Sequence, residues 1–261
     1  MNKKILLTVV LLLTIISVIA QEEGSSKGLR FGLKVAPSMS WMKPDLKSID
    51  KKGMTLGFNY GLMTDFSLSG NGNYAFSTGL EVSTVGGKLN YPNVVEQDST
   101  DYYGMTLRTF NLKYVNLPLQ LKLRTNEIGY MTYFGSFGID AGFNFKAKAT
   151  DEHTLRKKQT GDVDPPITPT EEDIVVNKDV SFFRVALVIG AGFEYNLSGN
   201  TSLLLGVTFN NGFNNVLTYD GYELSSSYSG PALDNSNKAK DANQKMDAIS
   251  NYLALNIGIF F

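Results

Sequence analysis

The chain has 261 residues, and its 24 Lys and Arg against 25 Asp and Glu give a formal net charge of −1. It contains no Cys and one His, which excludes a disulfide framework, a thiolate zinc site and a multi-histidine metal centre. The near-neutral charge provides no basic face for nucleic acid, so we expect no nucleic-acid partner. We also expect no cofactor.

The first 20 residues have the pattern of a secretory signal peptide. Lys3 and Lys4 precede an uncharged run of about 15 residues, and the polar stretch QEEGSSKG follows Ala20. That run is shorter than the roughly 20 residues that a membrane-spanning helix needs. We predict cleavage of residues 1–20, a short N-terminal segment at 21–28 and one folded domain at 29–261. An exported chain without spanning helices is periplasmic, secreted or a membrane β-barrel.

Eight segments of the predicted domain alternate apolar and polar side chains with period two, which indicates strands with two different faces. They cover about 29–36, 56–68, 74–91, 106–124, 133–146, 183–196, 203–210 and 252–261. The fourth segment changes phase, because Phe110, Leu112 and Tyr114 alternate out of step with the leucines that follow. A one-residue bulge near Tyr114 and Val115 would reconcile its two halves.

The predicted connections alternate between short and long. Short Gly and Asn turns of hairpin type lie at 69–73, 125–129 and 197–201. Long stretches lie at about 40–54, 92–105, 149–179 and 213–250. A soluble sandwich has no reason to sort its loops in this way, whereas an outer-membrane barrel has short periplasmic turns and permits long extracellular loops.

We therefore predict an all-β fold: an eight-stranded antiparallel up-and-down transmembrane β-barrel of the bacterial outer membrane. The large aliphatic and aromatic faces would contact lipid, and the faces rich in Gly and charge would line a narrow lumen. The predicted polar network of that lumen comprises Arg30, Lys34, Asp65, Glu81, Lys122, Asp140, Lys146, Arg184 and Glu194. Aromatics near strand ends, expected at the membrane interfaces, are Tyr60, Phe66, Tyr74, Tyr91, Tyr130, Tyr133 and Tyr195.

The chain resembles the Bacteroidota outer-membrane β-barrel family often called porin-family or PorT-like proteins. The resemblance rests on FGLKVAPSMSW (31–41), LKYVNLPLQLKLR (112–124), GFEYNLSGNTSLLLGV (192–207) and YLALNIGIFF (252–261). It implies an eight-stranded outer-membrane barrel, and some relatives serve in protein secretion. The 149–179 and 213–250 loops match nothing in that resemblance.

The end of the sequence resembles the signal that the barrel assembly machinery reads in outer-membrane clients. Phe261 ends an alternating apolar series, and the predicted signal residues are Leu253, Leu255, Ile257, Ile259 and Phe261. The alternative is an ordinary last amphipathic strand. The expected partners are therefore outer-membrane lipid, the assembly machinery and an unidentified envelope or secretion complex.

Catalytic chemistry has one candidate, His153, with Asp151 and Glu152 beside it as groups that orient an imidazole base. We interpret it as a solvated histidine in a charged loop, because no motif pairs a nucleophile with it. An acidic stretch nearby lacks the spacing of a calcium loop; its residues are Asp162, Asp164, Glu171, Glu172 and Asp173.

Three functions remain as hypotheses. The first is a non-enzymatic barrel that serves as a structural element, an anchor or a component of an envelope complex. The second is a narrow channel for small solutes or ions, which eight strands disfavour because side chains fill so small an interior. The third is a hydrolase at the outer rim, which would depend on His153.

Overall fold

A computed structural model describes residues 28–97, 100–157, 167–218, 220–225, 229–234 and 238–261. The predicted signal peptide and residues 21–27 lie outside these described residues. Among the described residues, no helix is both long and apolar enough to span a membrane.

The described residues form eleven β-strands. Their bounds are β1 Leu29–Pro44, β2 Asp50–Ser67, β3 Tyr74–Gln97, β4 Thr100–Arg124, β5 Met131–Lys157, β6 Thr170–Val175, β7 Phe183–Ser198, β8 Thr201–Gly212, β9 Asp220–Tyr222, β10 Asp241–Lys245 and β11 Ala248–Phe260.

Eight of the strands close into a ring in the order β1-β2-β3-β4-β5-β7-β8-β11, and β11 pairs with β1 again. All of these pairs are antiparallel, so the predicted eight-stranded antiparallel barrel is confirmed. Strand β6 adds to the part of β5 that lies beyond β7, and β9 with β10 forms a separate two-stranded sheet.

One end of the barrel carries only short connections, and we call it the turn end. Residues 68–73, 125–130 and 199–200 join the strands there. Gly129 and Gly199 have φ values of 65° and 55°, which L side chains adopt at a cost and glycine does not. The other end, the loop end, carries the remaining connections.

At the loop end, much of the sequence predicted as loop is strand. Strand β1 extends to Pro44 and β2 begins at Asp50, so little of the predicted 40–54 loop remains. Strands β3, β4 and β5 have 24, 25 and 27 residues, whereas a tilted strand needs about 9 to 11 to cross a bilayer. These three neighbouring strands form a wall that rises beyond the membrane-spanning part of the barrel.

The outer surface carries a continuous apolar band. Tyr133 and Phe143 on β5 mark its two edges, and both side chains are exposed. The ten residue steps from Tyr133 to Phe143 span about 33 Å along the strand, or about 25 Å along the axis of a tilted barrel, which is the height of a lipid-facing band. Aromatic side chains gather at both edges. At the turn end they include Tyr74, Tyr130, Tyr133 and Tyr195, and at the loop end Trp41, Phe143, Phe182, Phe183, Phe209 and Phe213.

The polarity of the interior reverses along the barrel axis. Toward the turn end the inward side chains are charged, and toward the loop end they are apolar. Phe110, Leu112 and Tyr114 continue the inward phase of Lys122 on β4 and are fully buried. The predicted phase change in β4 is therefore wrong, because these residues build an internal core rather than facing lipid. Tyr91, predicted at an interface, is also buried in this core.

Candidate functional site in the barrel interior

A network of ion pairs fills the interior at the turn end. The Lys122 ammonium lies 2.9 Å from Asp65 and 2.6 Å from Glu194, and all three side chains are almost fully buried. Arg30 donates a 2.6 Å hydrogen bond to Glu194, and Arg124 pairs with Asp65. Alternation places these residues on the inner face of β1, β2, β4 and β7, where each cation meets a carboxylate from another strand. The network thereby ties distant parts of the ring together.

A second polar layer lies further into the barrel. Lys34 is 2.5 Å from Glu81. Arg184 is fully buried and donates hydrogen bonds to the Ser250 hydroxyl and to the side-chain amide oxygen of Asn210. The Asn210 amide in turn donates to Asp140 at 3.0 Å. Of the nine residues predicted for the lumen, eight thus lie in the interior and form these two layers.

Lys146 is the exception, because its side chain is exposed on the outer surface. The register of β4 with β5 shifts between the pairs Lys113↔Lys146 and Tyr114↔Asn144. Phe145 is therefore an extra residue in β5, and this bulge turns Lys146 outward. The sequence prediction placed a bulge at this level but assigned it to β4 rather than to β5.

An apolar plug fills the interior toward the loop end. Its members come from β1, β3, β4, β5 and β11 and from the segments that follow β1, β6, β8 and β10. They are Ala36, Met42, Ile49, Val85, Leu89, Tyr91, Phe110, Leu112, Tyr114, Ala147, Ala149, Val176, Val180, Val216, Leu217, Met246, Ala248, Tyr252 and Ala254. The segments around Val180 and Leu217 pair with each other across the top. The plug is the largest apolar core in the described residues.

His153 lies inside β5 and is only 4% exposed, so its interpretation as a solvated loop residue is wrong. Its Nδ1 is 2.8 Å from the Thr106 hydroxyl, and its Nε2 is 4.0 Å from Glu171. Asp151 does not orient the imidazole, because both of its oxygens accept hydrogen bonds from Arg108 at 2.6 Å. Glu152 points to the outside. Thr106, Asp151 and His153 thus form a buried polar layer above the plug.

No group of three His, Asp or Glu side chains in the described ranges is arranged to hold a metal ion. Of the predicted acidic stretch, Asp162 and Asp164 lie outside the described residues. Glu171, Glu172 and Asp173 are exposed on β6. Lys148 donates a hydrogen bond to Asp173, which together with the lysine charge holds the pKa of that carboxyl below its usual range.

Open space inside the described part of the barrel lies at both ends. A recess of about 530 Å³ opens at the turn end between the short turns, and Arg30, Arg124 and Glu194 lie at its inner side. Behind it is a small cavity of about 60 Å³ beside Lys122 and Gln120, enough for a few water molecules. A second recess of about 230 Å³ at the loop end is bordered by Tyr91, Arg108, Asp179 and Met246. The ion pairs and the plug lie between the two recesses.

The residues predicted as an assembly signal lie on the outside of the barrel. Leu253, Leu255, Ile257 and Ile259 face outward along β11, and Phe261 follows this strand. They belong to the apolar band.

The sequence matches the model of a protein family described as outer membrane protein beta-barrel domain over residues 19–218. The chain belongs to this family. A comparison with curated proteins found no match. Membership places the protein in the bacterial outer membrane, where the short turns of a barrel face the periplasm.

Several solved outer-membrane proteins resemble this family member. The attachment invasion locus protein Ail of Yersinia pestis is 15% identical, with 90% of this chain and 99% of that chain covered and a TM-score of 0.34. Neisserial surface protein A is 11% identical, with 90% and 98% covered and a TM-score of 0.37. OprG from Pseudomonas aeruginosa is 13% identical, with 89% and 94% covered and a TM-score of 0.37.

The interior of this family member also contains residues that the sequence reasoning missed. Arg108 and Arg124 share the inward phase of Lys122 on β4, so a single alternation carried along the whole strand would have found both. Asn210 and Ser250 bind Arg184, and nothing in the sequence distinguishes them from other small polar residues of strands.

Proposed function

We propose that this protein is a non-enzymatic, closed outer-membrane barrel that acts as an anchor for a structured extracellular part and as a component of an envelope complex. One observation carries this proposal: the interior is filled, with charged layers at the turn end and an apolar plug at the loop end. Such an interior favours a rigid support over a conduit.

The channel hypothesis conflicts with that filling. A solute would have to displace the buried ion pairs of Lys122 and then separate a packed core. Removing one partner of a buried pair costs about 3–5 kcal/mol, and opening the core exposes large apolar side chains to water. Both costs oppose a conducting state.

The hydrolase hypothesis is not favoured by the surroundings of His153. A general base must reach the group that it deprotonates, but this imidazole is buried above the plug and contacts Thr106. Arg108 already engages Asp151, which lies on the same inner face of β5, and the exposed Glu171 carboxylate lies 4.0 Å from the ring. We propose that these residues stabilise the tall wall of β3, β4 and β5.

The resemblance to PorT-like proteins of Bacteroidota supports a role in the envelope, including in secretion. The extended wall supplies the surface for a partner, because it continues well beyond the apolar band. Crosslinking in intact outer membranes, followed by capture of this barrel, should recover a defined envelope protein. Recovery of lipid and assembly machinery alone would contradict the envelope-complex role.

Vesicle swelling tests the closed interior. The refolded protein in phosphatidylcholine vesicles should cause negligible swelling in isotonic arabinose or sucrose, because no open path leads through the described part of the barrel. Vesicles with a known porin give the positive control. Brisk swelling at a matched protein-to-lipid ratio would overturn the proposal of a closed barrel.

A further inference from the structure

Two lysines face each other on the outside of the barrel at the upper edge of the apolar band. Lys113 of β4 is the direct cross-strand partner of Lys146 of β5. Directly opposite side chains in a sheet have Cβ atoms about 4.5–5.5 Å apart, and like charges at such positions are destabilising. Neither ammonium has an ion-pair partner in the described part of the chain.

The bulge in β5 creates this pair. If β5 had no bulge and Phe145 were an ordinary paired residue, regular alternation would turn the side chain of Lys146 into the interior. Instead, Phe145 and Lys146 are both exposed. Lys148, two residues further, is also directed outward, but it is paired with Asp173 at 2.8 Å. The patch therefore holds three lysines and one carboxylate.

The lysine pair lies at the loop-end edge of the apolar band, the level at which the lipid headgroups of the outer leaflet contact a barrel. Val115 pairs with Phe143, and Phe143 pairs with Phe183. Lys113 is the next outward residue of β4 above Val115. Two aromatic contacts lie just below the lysines, since the Phe143 ring centroid is 5.4 Å from that of Phe183 and 5.8 Å from that of Phe182.

We propose that Lys113 and Lys146 bind the phosphate of an outer-leaflet lipid headgroup while its acyl chain packs on the phenylalanines below. A phosphate carries enough negative charge to bridge two ammonium groups, and Lys is a common phosphate ligand. The neighbouring apolar surface distinguishes a lipid from free phosphate. Basic residues at membrane surfaces attract anionic headgroups in the same way.

Native mass spectrometry of the full barrel in detergent tests this site. The probes are lipid A with both phosphates and lipid A from which the phosphates have been removed. We expect the phosphorylated form to bind more tightly, and the double substitution Lys113→Gln with Lys146→Gln to weaken it about 10- to 30-fold, since each lysine at an anionic surface accounts for roughly a fivefold change.

The matched control replaces two exposed lysines away from the patch, Lys47→Gln with Lys240→Gln, and should bind lipid A as the natural protein does. Unchanged binding by the Lys113 and Lys146 variant, or an equal loss in the control, would overturn the proposal. So would displacement of lipid A by inorganic phosphate at equal concentration, because the ligand would then be free phosphate.

A second variant guards against misfolding. Lys146→Glu converts the opposed pair into Lys113 and a carboxylate, which favours the folded sheet. This variant should show the heat-modifiable gel mobility of a folded barrel and should lose phosphorylated lipid A at least as strongly as the double substitution. Retained binding would contradict the bridging role.

Discussion

At the residue scale, burial of charge decides which side chains matter most. Lys122 is 4% exposed at its side chain and contacts two carboxylates that are equally buried. Removing this ammonium is costly, because water does not replace the hydrogen bonds that the two buried carboxylates lose. Stability at the turn end therefore depends on this ammonium more than on any exposed ion pair, such as Lys52 with Asp50.

The substitution Lys122→Met should lower the free energy of unfolding by about 1–3 kcal/mol, since Asp65 and Glu194 lose one hydrogen-bonded cation but keep Arg124 and Arg30 as partners. Urea unfolding in vesicles, followed by fluorescence of Trp41, the only tryptophan of the chain, measures the loss. Lys47→Met in the exposed β1–β2 hairpin is the control and should change stability by less than about 0.5 kcal/mol. A similar small loss for Lys122→Met would show that the network does not stabilise the barrel.

At the element scale, each long strand combines two environments. The inward side of β4 carries Lys122 near the turn end and Phe110 in the plug, while its period of two never changes. The membrane-spanning part has polar residues inside because lipid surrounds it. The part beyond the membrane has water outside, so its apolar residues pack inward like those of a soluble barrel.

That combination explains what could be predicted from the sequence. Alternation and Gly-Asn turns predicted the eight strands and the order of short and long connections. The upper half of β5 was missed because Asp151 and His153 alternate with Glu152 and Thr154, so both faces are polar. The alternation of side chains along a strand keeps its period of two when the outside of the barrel changes from lipid to water. The sequence therefore predicted that Phe110 faces lipid, whereas it faces the interior.

Deletion of Phe145 tests the bulge at this scale. Because Phe145 is the extra residue of β5, its deletion removes the bulge and leaves Ala147, Ala149 and Asp151 facing the interior. Amide hydrogen exchange should therefore show retained protection over residues 147–155 and over residues 131–143. Deletion of Thr150, which is paired with Thr109, is the comparison, because it turns the side chains that follow to the other face and should lower the protection of residues 151–155. Loss of protection over 147–155 after deletion of Phe145 would contradict the assigned register.

At the scale of the whole molecule, side chains fill much of the interior of the barrel. Ion pairs join strands across the turn end, the plug joins strands and loops at the other end, and lipid contacts surround the middle. The near-neutral net charge agrees with this arrangement, because most cations of the interior are paired with carboxylates. The outward-facing pair Lys113 and Lys146 departs from that balance at the upper edge of the apolar band.

The central claim, that ion pairs and an apolar plug block the interior above the recess at the turn end, is tested most directly by single-cysteine labelling. Because the natural chain has no Cys, each introduced thiol reports alone. Thr132→Cys lines the recess and should react rapidly with a small charged methanethiosulfonate reagent. Ala149→Cys lies in the plug and should react on the order of 100-fold more slowly, since reaction requires local opening. Comparable rates at the two positions would contradict a closed barrel.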